Sequence, residues 1–379
     1  MDIMKLGLNI LLFLFSFFFV FCAPTSAQER ILPPEPPVET YYKATVITIV
    51  SDTTKEIAGI PNYEQTVQLK ITSGDEKGKT IRLVHGGVIR PNTSQKLEED
   101  QNVVIVKSVF SDNTTYSFVD HYRLDALLYI MAGFFMLVVL VAGKKGFGSI
   151  LGMICSVFVI LQFIVPQILQ GKDPLLISIL GSLAIMFVTL YLAHGINKRT
   201  TIALCATALS LLLTGILAVL FVSVTNLTGM GSEDAYLLQF GPTAINVKGL
   251  LLGGIIIGAL GVLDDITTSQ TAAVFEISKA NKKLEFMDLV MRGYSVGKEH
   301  IASLVNTLVL AYAGASLGLF ILFVLNPLNQ PSWVIFNSQL IVEEVIRTLA
   351  GSIGLVLAVP ITTVLSAWIA TKQRSVTNR

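Results

Sequence analysis

Cysteine and charge are both scarce in this chain of 379 residues. It holds three cysteines, and charged residues make up only 14% of it. Cys155 and Cys205 stand in separate apolar runs and Cys22 in the N-terminal leader, so neither a disulfide framework nor a cysteine metal site is expected. Charged residues gather before Arg123 and in short segments between apolar runs, which gives no sign of a nucleic-acid partner.

Nucleotide-binding and catalytic motifs are also missing. The sequence has no Walker loop, dinucleotide-binding loop, nucleophile elbow or zinc-binding helix. No cofactor is therefore expected. An enzyme would need a metal or a reactive pair of side chains, and these residues do not supply one.

Apolar residues are abundant, at 53% of the chain, and mean hydropathy is +0.68. This composition is typical of an α-helical polytopic membrane protein, whose first partner is the lipid bilayer. Residues 122–371 are predicted to form a transmembrane domain of about seven helices. The predicted spans lie near 124–143, 147–169, 174–194, 201–225, 247–266, 301–325 and 341–370.

The N-terminus is typical of a secretory signal peptide over residues 1–27. Lys5 precedes an apolar stretch at 11–21, and small residues at 25–27 would suit cleavage. A retained membrane anchor with the same topology is the alternative. In either case the following segment is exported.

Residues 28–121 alternate between apolar and polar as β-strands do, and they predict a small extracytoplasmic β-rich domain. One topology that suits five short strands is a barrel of the OB type. His85 and His121 are expected at its surface. The strands are predicted near 42–50, 65–72, 79–85, 102–110 and 116–121.

The distribution of lysine and arginine predicts the orientation of the spans. After Arg123 these residues gather at 144–145, 197–199, 279–298 and in a basic tail at 372–379. Cytoplasmic loops carry the excess of positive charge. We therefore expect a bacterial plasma-membrane protein with a cytoplasmic C-terminus.

Two adjacent carboxylates, Asp264 and Asp265, end the apolar run that begins near Val247. A carboxylate in or beside hydrocarbon is costly unless it meets water, a partner or an ion. On a helix, Asp265 and Glu276 would return to nearly the same face. The candidate ion or proton site consists of Asp264, Asp265, Thr268, Ser269, Glu276 and Asn306. The alternative is that Asp264 or Asp265 caps a cytoplasmic helix beginning at Ile266.

Two further groups of residues stand out. Glu343 and Arg347 are four apart and are expected to pair on one helical face, which leaves Glu344 unpaired; the three form a secondary candidate site. Glycines in the fifth span predict close helix packing, with a flexible or broken helix as the alternative. These are Gly249, Gly253, Gly254, Gly258 and Gly261.

The run Gly261-Val-Leu-Asp-Asp-Ile-Thr-Thr-Ser-Gln270, with Ala-Ala-Val-Phe-Glu at 272–276 and Asn-Thr-Leu-Val-Leu-Ala-Tyr-Ala-Gly at 306–314, resembles the YibE/F family of bacterial multi-pass membrane proteins. The likeness extends over roughly residues 120 to 370. It implies a membrane protein and assigns no chemical role to any residue. It marks Asp265, Glu276 and Asn306 as characteristic positions.

Together these features predict an ion- or proton-linked transporter or channel for a small solute. The alternative is a membrane scaffold or signalling module, which would dock partners through its exported domain and the cytoplasmic segment 279–298. A second copy of the chain or another membrane protein is a further candidate partner.

Overall fold

A computed structural model describes residues 38–57, 60–86, 96–110, 113–239, 245–326 and 329–377. The predicted signal peptide, 1–27, lies outside the described residues. Two compact units make up the structure, and the boundary between them falls between Leu137 and Val138.

The strands of the first unit form one antiparallel sheet. In the described part of the chain they are β1 (Val38–Ile57), β2 (Ile60–Ile71), β3 (Thr80–Gly86), β4 (Asn102–Phe110) and β5 (Asn113–His121). Their order across the sheet is β3-β2-β1-β4-β5. The predicted β-rich character of this region is confirmed, with β1 and β2 beginning earlier than the sequence pattern indicates.

Strand β1 is 20 residues long and pairs with two neighbours. Residues 38–45 pair with β4, and residues 44–57 pair with β2. The register against β2 shifts after Val46 and again after Ile49. Such bulges bend a strand and increase its twist. The sheet therefore curls into a half-barrel.

Two polar side chains, Gln65 and His85, are buried with the apolar residues of this unit. His85 is only 4% exposed, and its Nε2 lies 3.0 Å from the hydroxyl of Tyr63. The ring of Phe118 in β5 lies 4.3 Å from the His85 ring, centroid to centroid. The expectation that His85 lies at the surface is therefore wrong, because the two edge strands approach each other around its ring.

A charged cluster ties the turn between β2 and β3 to β4 and β5. The carboxylate of Glu76 accepts hydrogen bonds from the Lys107 ammonium at 2.6 Å, the Tyr116 hydroxyl at 2.6 Å and the Lys79 ammonium at 3.0 Å. These donors, Lys107 first, hold the pKa of Glu76 at about 2, below its ordinary value of 4.5.

Helices form the second unit. They are α1 (Leu124–Val159), which begins in the first unit, α2 (Val165–Leu169), α3 (Pro174–His194), α4 (Lys198–Val224), α5 (Glu233–Gln239), α6 (Val247–Ala280), α7 (Phe286–Ala315), α8 (Leu317–Leu325), α9 (Ser332–Phe336) and α10 (Gln339–Thr377). A π-helical turn at Ile160–Ile164 joins α1 to α2.

Side-chain caps fix the start of three long helices. Asp173, Asn197 and Asn246 accept backbone N–H bonds at the N-termini of α3, α4 and α6, over 2.9 to 3.0 Å. Such bonds satisfy donors that the first helical turn leaves free. The sequence therefore sets these boundaries locally.

Among the described residues, five helical segments are long and apolar enough to cross a membrane, or six if the bent pair α7 and α8 counts as one span. The predicted spans 124–143 and 147–169 fall in one helical stretch, Leu124–Leu169. Gly143 interrupts that stretch with φ 59° and ψ −135°, a conformation that glycine adopts readily. The count of seven spans stays a prediction.

Helix α6 lies at the centre of the second unit, where it packs against α3, α4, α7 and α10. Its apolar side chains Ile256, Leu263 and Ile266 are buried. Large apolar side chains elsewhere on the helices are exposed, as Leu128 and Leu220 are. An apolar exterior on long helices fits a region embedded in a membrane.

The glycines of α6 differ in their surroundings. A methyl group at Gly253 would lie 2.3 Å from Oγ of Ser178 in α3, whereas one at Gly261 would meet nothing within 4 Å. Gly249 also faces α3, at Pro174. Gly254 and Gly258 face almost open space, with their nearest atoms at 3.8 and 3.9 Å. Because α6 continues without interruption past Gly261, the alternative of a helix broken there is wrong.

Candidate functional site

The two adjacent aspartates of α6 differ in burial. Asp264 is half-buried, and among the described residues its Oδ1 is buried without a hydrogen-bond partner. Asp265 is exposed. Successive helical residues point about 100° apart, which explains the difference. Asp264 is therefore the carboxylate that faces neighbouring helices.

Neither aspartate begins a helix. Helix α6 starts at Val247 with Asn246 as its cap, and it runs for 34 residues to Ala280. At about 1.5 Å per residue, Asp264 lies roughly 25 Å from the first residue of the helix. The alternative that Asp264 or Asp265 caps a helix beginning at Ile266 is thus wrong.

The hydroxyl groups that follow the aspartates bond to the helix itself. Thr268 donates to the carbonyl oxygen of Asp264 at 2.9 Å, and Ser269 donates to that of Asp265 at 2.8 Å. Back-bonding of this kind is common for Ser and Thr in helices. Both hydroxyls keep oxygen lone pairs that can still accept a hydrogen bond or meet a cation.

Beyond the aspartates, α6 carries a fully buried polar layer. Gln270 donates from Nε2 to Oγ1 of Thr363 in α10 and to the carbonyl oxygen of Gly293 in α7. The Thr267 hydroxyl lies 2.5 Å from that of Thr207 in α4. This layer was missed in the sequence, although the hydroxyl residues at three- and four-residue spacing in the apolar spans were a signal. They are Thr207, Ser210 and Thr214 in α4, and Thr362, Thr363 and Ser366 in α10.

Glu276 lies near the basic end of α6 and is exposed. Its side chain is 62% exposed and pairs with Arg199 at 2.9 Å and Lys279 at 3.2 Å. It is three helical turns from Asp265. Glu276 is therefore an ion-pair partner, and the structure does not bring it together with the aspartates.

Asn306 lies in α7 and is exposed. Within the described ranges it forms no hydrogen bond to Asp265. Its neighbour Thr307 donates to the carbonyl oxygen of Ser303 within the same helix. In the described structure no hydrogen bond therefore joins Asn306 to the aspartates of the candidate site.

The secondary site at the start of α10 also differs from expectation. Arg347 pairs with Glu344, over 3.5 Å, and not with Glu343. Glu343 is 7% exposed and accepts bonds from the Gly231 backbone N–H at 3.0 Å and from Gln339 at 2.9 Å. The predicted Glu343 to Arg347 pair is wrong, because Glu343 points to the loop after α4 and holds it.

A buried carboxylate oxygen without a donor is the chemically unusual feature of this unit. Burying an unpaired charge is costly, and a proton or a cation relieves that cost. In the part of the chain that the structure describes, no three His, Cys, Asp or Glu side chains cluster as ligands of a metal ion would. Asp264 is thus suited to take up a proton or a single cation.

The apolar helices and their buried polar layer define a multi-pass membrane protein. Residues 130–372, more than half of the chain, match the family of YibE/F-like proteins, and the chain belongs to that family. No curated protein and no solved structure matches it. The resemblance seen in the sequence is confirmed.

Proposed function

We propose that this protein is a proton- or ion-linked transporter or channel for a small solute. The observation that carries the proposal is the buried Oδ1 of Asp264, which has no hydrogen-bond partner among the described residues. A membrane protein retains a costly intramembrane carboxylate chiefly where it moves or binds charge.

Asp264 is the acceptor in this proposal. It takes up a proton or a cation on α6, and release of that ion restores the unpaired carboxylate. The hydroxyl oxygens of Thr268 and Ser269, one turn further along α6, serve as neutral ligands. The exposed Asp265 adds negative charge beside the acceptor. Glu276, Asn306 and the secondary candidate residues Glu343, Glu344 and Arg347 take no part in the ion step.

The proposed topology follows the positive-inside rule. Residues 28–121 are extracytoplasmic and form an OB-like barrel, the C-terminus is cytoplasmic, and the chain crosses the bacterial plasma membrane seven times. The strand order and the contact between Phe118 and His85 support a barrel. The basic residues at 144–145, 197–199 and 279–298 support the orientation.

Flux measurements in reconstituted liposomes test the proposal. Wild-type protein, Asp264→Asn and Asp265→Asn are compared under imposed pH, sodium and potassium gradients. We expect ion flux in the wild type, a loss of about 100-fold in Asp264→Asn, and a change below about twofold in Asp265→Asn. The adjacent exposed aspartate is the matched control.

Absence of flux in the wild type, with correctly folded protein, would contradict the transport proposal. The scaffold alternative would then be preferred, with the exported domain and the segment 279–298 as its docking surfaces. Equal flux in wild type and Asp264→Asn would mean that the protein transports ions but that Asp264 does not accept them.

A further inference from the structure

A cavity of about 200 Å³ opens at the junction of α3, α4 and α6. At about 30 Å³ for each water, it has room for roughly six waters or a group of similar size. Polar and charged side chains from four helices line it. These are Lys145, His194, Arg199, Thr200, Thr268 and Thr271.

The lysine and arginine side chains at this cavity outnumber the carboxylates that pair with them. Lys145 forms no ion pair with any described residue, and His194 is a further polar residue of the lining. Arg199 pairs with Glu276 at 2.9 Å and lies over the ring of Phe275, 5.3 Å from its centroid. An arginine held in this way presents a fixed planar fork, which matches the oxygens of a phosphate group.

A threonine that is largely buried, Thr200, also lines this cavity. Thr200 is 4% exposed and lines the cavity, and its hydroxyl has no hydrogen-bond partner among the residues that the structure describes. Its backbone N–H is already occupied by Asn197. Because Thr200 lies in the first turn of α4, the positive end of that helix faces the same space.

The surroundings add further positive charge. A neighbouring hollow shares Asn197 and Arg199 with the cavity and is lined by Lys198 and Lys279 as well. Glu276 offsets part of this charge through its pairs with Arg199 and Lys279. A cavity with this lining favours an anion with several oxygens, and basic pockets between membrane helices bind lipid headgroups.

We propose that this cavity binds a phosphate group, held by Lys145 and Arg199 and by the hydroxyl of Thr200. The phosphate comes either from an anionic phospholipid headgroup or from free phosphate. Phosphate binding in this cavity does not depend on Asp264 or on ion transport by the protein.

Binding to the full-length protein in detergent tests this proposal. The probes are a fluorescent short-chain phosphatidylglycerol, the matching phosphatidylcholine as zwitterionic reference, and inorganic phosphate measured by calorimetry. Lys145→Gln, Arg199→Gln and Thr200→Val change the site. Lys144→Gln is the control, because Lys144 is the adjacent exposed lysine and does not line the cavity.

We expect the wild type to prefer phosphatidylglycerol over phosphatidylcholine. Lys145→Gln and Arg199→Gln should each weaken binding by about tenfold, as loss of one charged hydrogen bond does. Lys144→Gln should leave binding within about twofold of the wild type. Competition by inorganic phosphate identifies the free anion as a ligand, and failure to compete identifies the lipid headgroup.

Two results would overturn the proposal. One is equal binding of both lipids together with no uptake of inorganic phosphate. The other is equal weakening by Lys144→Gln and Lys145→Gln, which would mean attraction by general surface charge. Lys145 is exposed, so its variant should fold, and a normal unfolding temperature checks this.

Discussion

Gln270 of α6 donates a hydrogen bond of 2.7 Å to the hydroxyl of Thr363 in α10. A second bond from the same nitrogen reaches the carbonyl oxygen of Gly293 in α7 at 2.8 Å. One amide therefore joins three helices in a place that water does not reach. Polar side chains of this kind hold membrane helices together, since lipid offers them no alternative partner.

Replacing Gln270 by Ala should destabilise the helical unit. It leaves the Thr363 hydroxyl without this donor and opens a void, and we expect a loss of about 1 to 3 kcal/mol. Thermal unfolding in detergent, followed by tryptophan fluorescence, measures the effect. Ser269→Ala is the control, because that hydroxyl bonds only to its own helix. Equal unfolding temperatures for Gln270→Ala and Ser269→Ala would show that the Gln270 bonds contribute nothing.

Two glycines of α6 should respond to alanine in opposite ways. At Gly253 the added carbon would lie 2.3 Å from Oγ and 3.1 Å from Cβ of Ser178, so rotation of the hydroxyl alone does not make room. We expect Gly253→Ala to cost about 1 to 3 kcal/mol. The methyl group of Gly261→Ala would lie in open space, and we expect this variant to stabilise the helical unit by about 0.5 to 1 kcal/mol.

Paired unfolding curves of the two glycine variants check this. A lower unfolding temperature for Gly253→Ala and an unchanged or higher one for Gly261→Ala is the expected pattern. If both variants unfold at the wild-type temperature, α3 and α6 do not approach each other as closely as the structure indicates.

Glu76 should make the β unit sensitive to acid. Its pKa in the folded protein is lowered from 4.5 to about 2 by Lys107, Tyr116 and Lys79. A lowered folded pKa adds stability above the unfolded value, and that contribution is lost as the pH falls from about 4.5 to about 2. Glu76→Gln should therefore be less stable than the wild type at neutral pH and should lose less stability on acidification.

Unfolding of the full-length protein between pH 7 and pH 2, followed by far-ultraviolet circular dichroism at the β-sheet band, measures this difference. Glu98→Gln is the control, because Glu98 bonds to a neutral amide, that of Gln101. Parallel pH profiles for wild type and Glu76→Gln would show that the cluster does not stabilise the fold.

Glu343 should act as a tether for the loop between α4 and α5. Glu343→Ala removes the acceptor for the Gly231 backbone N–H and for Gln339, and we expect a local cost of about 1 to 3 kcal/mol. Hydrogen exchange at residues 226–231 should become faster. Glu344→Ala removes only a long pair with Arg347 and should leave exchange unchanged. Faster exchange in both variants would contradict the tether.

Local patterns predicted much of the fold. The β4 strand begins and ends where alternation placed it, at Asn102 and Phe110, because alternation and turn residues are short-range signals. The start of α6 follows from Asn246 as a cap. The bulges that bend β1 depend on pairing with distant strands, and no local pattern encodes them.

The geometry of the candidate site could be predicted less well from the sequence than the fold could. The adjacent carboxylates drew attention to this part of α6, but which of them faces the neighbouring helices depends on the rotation of α6 against those helices. Sequence spacing favoured a site that contains Asp265 and Glu276 on one helical face. In the structure, Asp264 faces the neighbouring helices and Glu276 forms an ion pair with Arg199. Spacing within a helix likewise favoured a pair between Glu343 and Arg347, whereas the Gly231 N–H comes from a distant part of the chain.

The most direct test of the central claim compares a carboxylate with its neutral analogue at position 264. Initial ion flux into liposomes under a pH gradient is measured for Asp264→Glu and Asp264→Asn against the wild type. If Asp264 accepts the transported charge, Asp264→Glu should keep flux within about tenfold of the wild type and Asp264→Asn should lose about 100-fold. Equal flux in the two variants would contradict the account, because a carboxylate would then do nothing that an amide of similar shape cannot.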